Sequence, residues 1–402
     1  MLVSDREARG SELSRWVDGV DRATPAGPCF VAERVFPFEH RHGRQALGDA
    51  LGVSQRALAL LARQPLVGPL DVRDALFLDT ETTGLSGGAG TYVFLIGVGR
   101  FEARGFVVRQ FFMRDYGEEP ALLHLLDELG AAARSLVTYN GRAFDWPLLE
   151  TRYVMALRAR PRLRPAAHLD LLFPSRRVWR GRVPDCSLTT LERRVLGYER
   201  VGDVPGWVIP SLYFGFLRHG ACQPVAQVFA HNRDDVLSLA ALIGRLGRLL
   251  DDPLAAGRRA EDLLAVGRLY EEQGLGEEAL ACYERGAQLA QSSPQRCALL
   301  TRLAALYKRR GERVRAVALW RELALSGLGD DVSALVELAK HHEHRERDYL
   351  SAIDVVQQAL AIVELRELGH RGPFSGEGRV ELERRLARLL RKAGAERLGL
   401  ER

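Results

Sequence analysis

From residue 75 the apolar residues gather into short runs broken by glycine: Ala75-Leu76-Phe77-Leu78, then Tyr92 to Val98, then Phe106 to Phe112 after the turn residue Gly105. Runs of this length with glycine connections predict three strands in an antiparallel meander. The period then changes. Leu122, Leu125, Leu126 and Leu129 share one face of a helix over 120–133, and Ser135 to Tyr139 form a strand that Asn140-Gly141 ends. A helix opens at Asp145, with Pro147 in its first turn and Leu148, Leu149, Tyr153 and Ala156 on its buried side. A short strand ends at Asp170, and a long helix covers about 224–249. Upstream, residues 1–70 give a weak pattern: a short apolar segment, Cys29 to Ala32, and a helical stretch around Ala46 to Leu61. They are expected to pack as an accessory segment on a domain at 71–250. Past Asp251-Asp252-Pro253, a natural linker, the chain is wholly helical over 260–395, ending in an amphipathic helix at Val380 to Arg391.

Within the helical part, Tyr270, Gly274, Ala279 and Tyr283 recur 37 residues later as Tyr307, Gly311, Ala316 and Trp320, and Ala352 and Val356 begin a looser third copy. A small residue at a helix crossing with an aromatic four later resembles tetratricopeptide repeats of slightly long period. That resemblance implies stacked helix pairs and a concave surface for a protein or peptide partner.

The composition, 47% apolar and 27% charged over 402 residues, suits a globular protein of two or three domains. Five cysteines without paired spacing argue for a reducing compartment and against a zinc or disulfide framework. Met1 to Arg9 has no apolar core of a signal peptide, and no stretch is long and apolar enough to span a membrane, so the expectation is a cytoplasmic protein. The net charge is only +5, but nine arginines between Arg152 and Arg182 face a single acid, Asp170. Such an excess suits a phosphate backbone, Arg176 and Arg177 among them, although a solvated surface would read the same.

The candidate chemistry begins at Asp79-Thr80-Glu81-Thr82-Thr83-Gly84. Residues two apart on a strand point the same way, so Asp79 and Glu81 face one place, where two like charges need a cation between them. Mg²⁺, which takes carboxylate and water oxygens, is a natural occupant. Asp145 is either a third acid for that place or simply a helix cap. His231 and Asp235, four apart on a helix, share one face, and a histidine beside a metal-bound carboxylate can take a proton from water. Asp234 competes with Asp235, and Asp235 is preferred. Asp170 reads as inert or as a supporting group. His40 and His42 lack ligand partners and read as surface histidines. Ser86 to Gly90 lacks the ending of a phosphate-binding loop and reads as a flexible loop near the metal site.

Taken together, Asp79-x-Glu81, the Asn140 to Asp145 segment and His231-x-x-x-Asp235 resemble the three motifs of the DEDD exonucleases on a ribonuclease-H-like fold. The chain most resembles the YprB-like proteins, which join such a domain to tetratricopeptide repeats. The resemblance implies a mixed sheet flanked by helices, then an all-α repeat domain. It also implies a metal-dependent nuclease, a 3′-to-5′ exonuclease on single-stranded nucleic acid using two Mg²⁺ or Mn²⁺ ions. On it, Asp79 bridges both ions, Glu81 and Asp235 complete the first ion's shell, Asp145 holds the second ion directly or through water, and His231 orients or deprotonates the water. Thr82, Asn140, Arg142, Arg176 and Arg177 are the expected nucleic-acid contacts. One departure stands out: the family has Tyr with three residues between it and the last Asp, or His with four between, whereas here His231 has three between it and Asp235. A degenerate adaptor and a structure-selective endonuclease are the alternatives, and DNA is not distinguished from RNA.

Overall fold

A computed structural model describes residues 12–62, 70–84, 90–163, 167–325, 332–368 and 378–397. The residues divide into two compact units, 1–252 and 253–402.

The first unit is built on a seven-stranded mixed sheet in the order β1-β2-β7-β6-β5-β8-β9. Its strands are β1 (Gly19–Thr24), β2 (Gly27–Phe36), β5 (Ala75–Thr82), β6 (Val93–Glu102), β7 (Gly105–Phe112), β8 (Ser135–Thr138) and β9 (Ala167–Asp170), while β3 (Arg41–His42) and β4 (Gln45–Ala46) form a separate ribbon. β5, β6 and β7 are the expected antiparallel meander, and β8 and β9 run parallel to β5 on its other side. Parallel neighbours need crossovers, supplied here by α2 (Glu119–Gly130) before β8 and α3 (Asp145–Leu157) before β9. The carboxyl ends of β5, β8 and β9 therefore emerge along one edge, and the strand order reverses direction at β5, the place where open sheets bind ligands. This is a ribonuclease-H-like sheet with two strands added beyond β7.

Those added strands change the picture of residues 1–70. β2 pairs along β7 from Phe30↔Phe112 to Phe36↔Phe106, so this stretch is part of the sheet itself. Arg114, almost wholly buried, fastens β1 by pairing with Asp21 at 2.8 Å and with Glu118 at 2.7 Å. The helical stretch near 46–61 is broken: a 3₁₀ turn covers Leu47–Gly52 and α1 is Gln55–Ala62, with Ser54 capping α1 through Oγ, which accepts from the Ala57 amide at 3.0 Å.

The sheet is covered by α5 (Ile209–His219) and by α6 (Cys222–Asp251), with α4 (Leu172–Trp179) after β9. α6 buries Val225, Val228, Phe229, Asn232 and Val236 on one stripe. Its approach depends on Gly97 of β6, where an added Cβ would stand 2.2 Å from Asn232 Oδ1. Tyr213 of α5 stacks on Phe94 at 4.0 Å and donates to the Met113 carbonyl at 3.0 Å.

The second unit is all-helical: α7 (Ala260–Glu272), α8 (Gly276–Leu289), α9 (Ser293–Arg309), α10 (Arg313–Leu325), α11 (Ser333–His341), α12 (Tyr349–Leu368) and α13 (Arg379–Arg397). The recurring residues fall at equivalent places. Gly274 and Gly311 turn between helices at φ +74° and +78°, and five residues on, Ala279 and Ala316 are fully buried. The third copy places Arg347 at φ 56° five residues before buried Ala352, so the left-handed turn persists without the glycine. Among the described residues no helix is long and apolar enough to cross a membrane.

Candidate metal centre

The end of β5 presents Asp79, Thr80, Glu81 and Thr82, all half-buried. β5 pairs with β8 up to Phe77 and with β6 through Thr82, so its backbone is fixed and the alternation places the two acids. Asp79 Oδ2 accepts from Asn232 Nδ2 at 2.8 Å, and Asn232, wholly buried on α6, accepts at Oδ1 from Gln110 Nε2 at 2.8 Å. One buried amide thus ties β5, β7 and α6 together at the first acid.

Glu81, His231 and Asp235 form a group whose candidate ligand atoms lie within 4.8 Å of one another. His231 Nε2 is 3.3 Å from Asp235 Oδ2 and 3.9 Å from Glu81 Oε1. Asp79 and Asp145 lie outside that group but within its field. Burial, then the charges of Asp235, Glu81 and Asp145, push Asp79 well above the usual carboxylate range. Burial, then Asp235 and Asp145, do the same to Glu81. Burial pushes Asp145 up to about 6 against a hydrogen bond from Thr80.

Asp145 is not a cap. The capping position is Phe144, which makes no side-chain bond to the helix, and Asp145 reaches across to accept from Thr80 Oγ1 on β5. The choice between the two adjacent aspartates is also geometric. Asp234 turns away, accepting from Tyr198 Oη at 2.7 Å and pairing with Arg233 at 2.7 Å, while Asp235 joins Glu81 and His231.

Asp170, at the end of β9, is a supporting group. Its carboxylate accepts from the amides of Asn140 at 2.7 Å, Arg142 at 3.2 Å and Leu172 at 3.1 Å. It fixes the turn in which Asn140 takes φ 63°, the turn that delivers Asp145.

The motifs did not point to Arg200, Asp203 and Glu192. Arg200 is 5% exposed and pairs with Asp235 Oδ1, while Glu192, 1% exposed, accepts from it at 2.6 Å and 2.7 Å. Asp203 accepts at 2.7 Å from His231 Nδ1. Burial raises the Glu192 carboxyl, opposed by Arg200. A charged residue buried only with partners was the available signal, but sequence alone does not pair residues 35 apart. His42 corrects the surface reading: it is buried, shares a 2.7 Å hydrogen bond with Ser238 Oγ, and packs at a tilt against the Tyr198 ring, centroids 3.7 Å apart. Burial lowers its pKa to about 3.

The arginine-rich stretch is not uniform. Arg152 is buried with Glu119, at 2.6 Å, beneath Tyr92, so it holds α3 to α2. Arg142 donates to the His168 carbonyl, and Arg177 reaches the Leu60 carbonyl at 3.4 Å. Arg158, Arg160, Arg162, Arg176 and Arg180 are exposed. Thr82 Oγ1 donates to the Gly84 carbonyl at 2.7 Å. Arg164 and residues 85–89 of the glycine-rich loop lie outside the described residues.

The donor set suits a divalent cation: carboxylates raised by burial and then by one another's charge, beside one imidazole nitrogen, are costly together without one. Comparison with known proteins places the sheet-bearing unit in a family. A family model described as RNase_H superfamily matches residues 76–247. The chain is 32% identical over 340 residues to the Bacillus subtilis (strain 168) protein YprB, itself described as uncharacterized, covering 83% of this chain and 80% of that one.

Proposed function

The chain belongs to the family of YprB within the ribonuclease H superfamily, and from that premise we propose that it is a metal-dependent nuclease. The observation that carries the reading is the meeting of Glu81, Asp235 and His231 at the carboxyl edge of the sheet, with Asp79 and Asp145 in electrostatic reach. Two divalent ions held there, Mg²⁺ or Mn²⁺, would activate water and offset the charge developing at phosphorus. The protein's part is to hold the acids apart from competing partners: Asn232 fixes Asp79, Thr80 fixes Asp145, and Arg200 fixes Asp235. Water adds to phosphorus, the bond from phosphorus to the 3′ oxygen breaks, and that oxygen leaves with a proton as a new 3′ hydroxyl. Repeated from a 3′ end, the reaction releases nucleoside 5′-monophosphates.

Exposed Arg176, together with Arg142, Arg177, Thr82 and Asn140 near the strand ends, guides the phosphate backbone of a single strand in this reading. The helical pairs of the second unit read as tetratricopeptide-like repeats. A groove among α9, α10 and α11, lined by Thr301, Lys308, Trp320, Ser333 and Glu337, is where they would take a peptide.

The test uses 5′-labelled single-stranded DNA and RNA and closed single-stranded circles, with Mn²⁺ or Mg²⁺. The reading expects laddering of linear substrate from the 3′ end, intact circles, and no products from Asp145→Asn. Cut circles replace the exonuclease with an endonuclease; no cleavage of any substrate removes the proposal.

A further inference from the structure

His231 sits in its site differently from a free proton acceptor. Its Nδ1 lies 2.7 Å from Asp203 Oδ1, and a carboxylate can only accept, so the ring proton belongs on Nδ1. Arg200 Nη1 also lies 3.1 Å from that nitrogen and 3.5 Å from Asp203 Oδ2, and with the proton on Nδ1 its charge is met by Asp203. The lone pair on Nε2 then faces Asp235 Oδ2 at 3.3 Å and Glu81 Oε1 at 3.9 Å. A lone pair aimed at two carboxylate oxygens is repulsive unless a proton or a metal cation lies among them, and a measurement of nitrogen coupling separates the two.

The distances suit that cation. Two ligand atoms each about 2.2 Å from a common ion are roughly 3.1 Å apart at right angles and 4.4 Å apart when opposed, and both separations fall between these limits. The backing carboxylate matters as much, because histidines that bind metals characteristically donate their other ring N–H to a carboxylate or carbonyl. Arg200 completes the arrangement from the far side. Anchored by Glu192, it engages Asp235 Oδ1 and leaves Oδ2 to face the histidine. The four-residue step from His231 to Asp235 puts both on one helix face, one turn apart.

We propose that His231 is a metal ligand through Nε2, oriented by Asp203, and that with Glu81 and Asp235 it forms a two-carboxylate, one-histidine site selective for a first-row transition dication such as Mn²⁺ over Mg²⁺. The inference rests on the metal-dependent reading above. It differs from it in giving the imidazole to the ion, since Mg²⁺ takes oxygen ligands whereas imidazole suits softer ions. Asp203 acts only through His231 and is a positioning residue.

The probe is Mn²⁺ alone, added to the full chain and read by pulsed electron paramagnetic resonance and calorimetric titration. The bound ion should show nitrogen coupling that changes on ¹⁵N-histidine labelling and disappears in His231→Gln. Asp203→Asn should weaken Mn²⁺ binding about 10- to 100-fold. His231→Gln should lower Mn²⁺ affinity more than Mg²⁺ affinity. Mn²⁺ bound tightly, lost in Asp235→Asn, yet without nitrogen coupling would overturn the ligand assignment and leave the nuclease reading standing. Failure of the wild-type chain to bind Mn²⁺ would remove both. Isotopic labelling needs no substitution, so a misfolded His231→Gln does not block the answer.

Discussion

Glu81 carries opposite demands. Its carboxylate is raised by burial and by Asp235 and Asp145, so without a cation it opposes folding, and with one it binds. Glu81→Gln should therefore abolish nucleic-acid cleavage while raising apo stability by about 1 kcal/mol, a shift of roughly 2–4 °C in melting midpoint. Calorimetry in chelator checks the second half; an unchanged or lowered midpoint contradicts it. The sign with pH follows. A carboxyl whose folded pKa is raised contributes stability at low pH and loses it as pH rises from the ordinary range near 4 towards the folded value. Glutamine does not titrate, so the advantage of Glu81→Gln in chelator should grow from pH 4.5 to pH 7, measured by urea denaturation. His42 acts with the opposite sense: its folded value of about 3 lies below the ordinary 6.5, so its contribution is complete above pH 6.5 and drains away on acidification.

Among elements, the contact between β6 and α6 decides whether the acids meet, because α6 carries Asn232 and Asp235 while β6 braces β5. Gly97→Ala would drive a methyl group to 2.2 Å from the Asn232 amide, so it should cost about 1–3 kcal/mol and lower activity with it. Gly206→Ala, with nothing within 4 Å, is the control and should stay within about 0.5 kcal/mol. How much was legible in the sequence also divides by element. The meander, the helix opening at Asp145 and the long helix through Asp235 could be read because periodicity and turn residues are local signals. Strands β1 and β2 could not be placed, since β2 earns its position by pairing with β7 across about seventy residues. Of the site, the acids were legible through their spacing. Arg200, Asp203, Glu192 and Asn232 were not: each works through a partner that only the fold brings near. Arg152 misled for the same reason, its charge being already matched by Glu119.

For the whole molecule, the sheet edge and the helical pairs are separate units with separate tasks in this account. A dication that binds the folded state but not the unfolded chain stabilises it by about 2.7 kcal/mol at a hundred times its dissociation constant. Mn²⁺ should thus raise the melting midpoint of the sheet-bearing unit by roughly 5–10 °C, and Asp235→Asn should remove most of that rise. A rise that survives Asp79→Asn and Asp235→Asn would place the ion elsewhere.

The most direct measurement is release of nucleotides from a 5′-labelled single strand, followed with the wild-type chain in Mn²⁺, in excess chelator, and with Glu81→Gln. The account predicts steady degradation in the first case and about a hundredfold to a thousandfold less in the other two, the order expected when a group that stabilises the transition state is removed. Equal cleavage by all three would mean that the carboxylates at the end of β5 do not perform the chemistry.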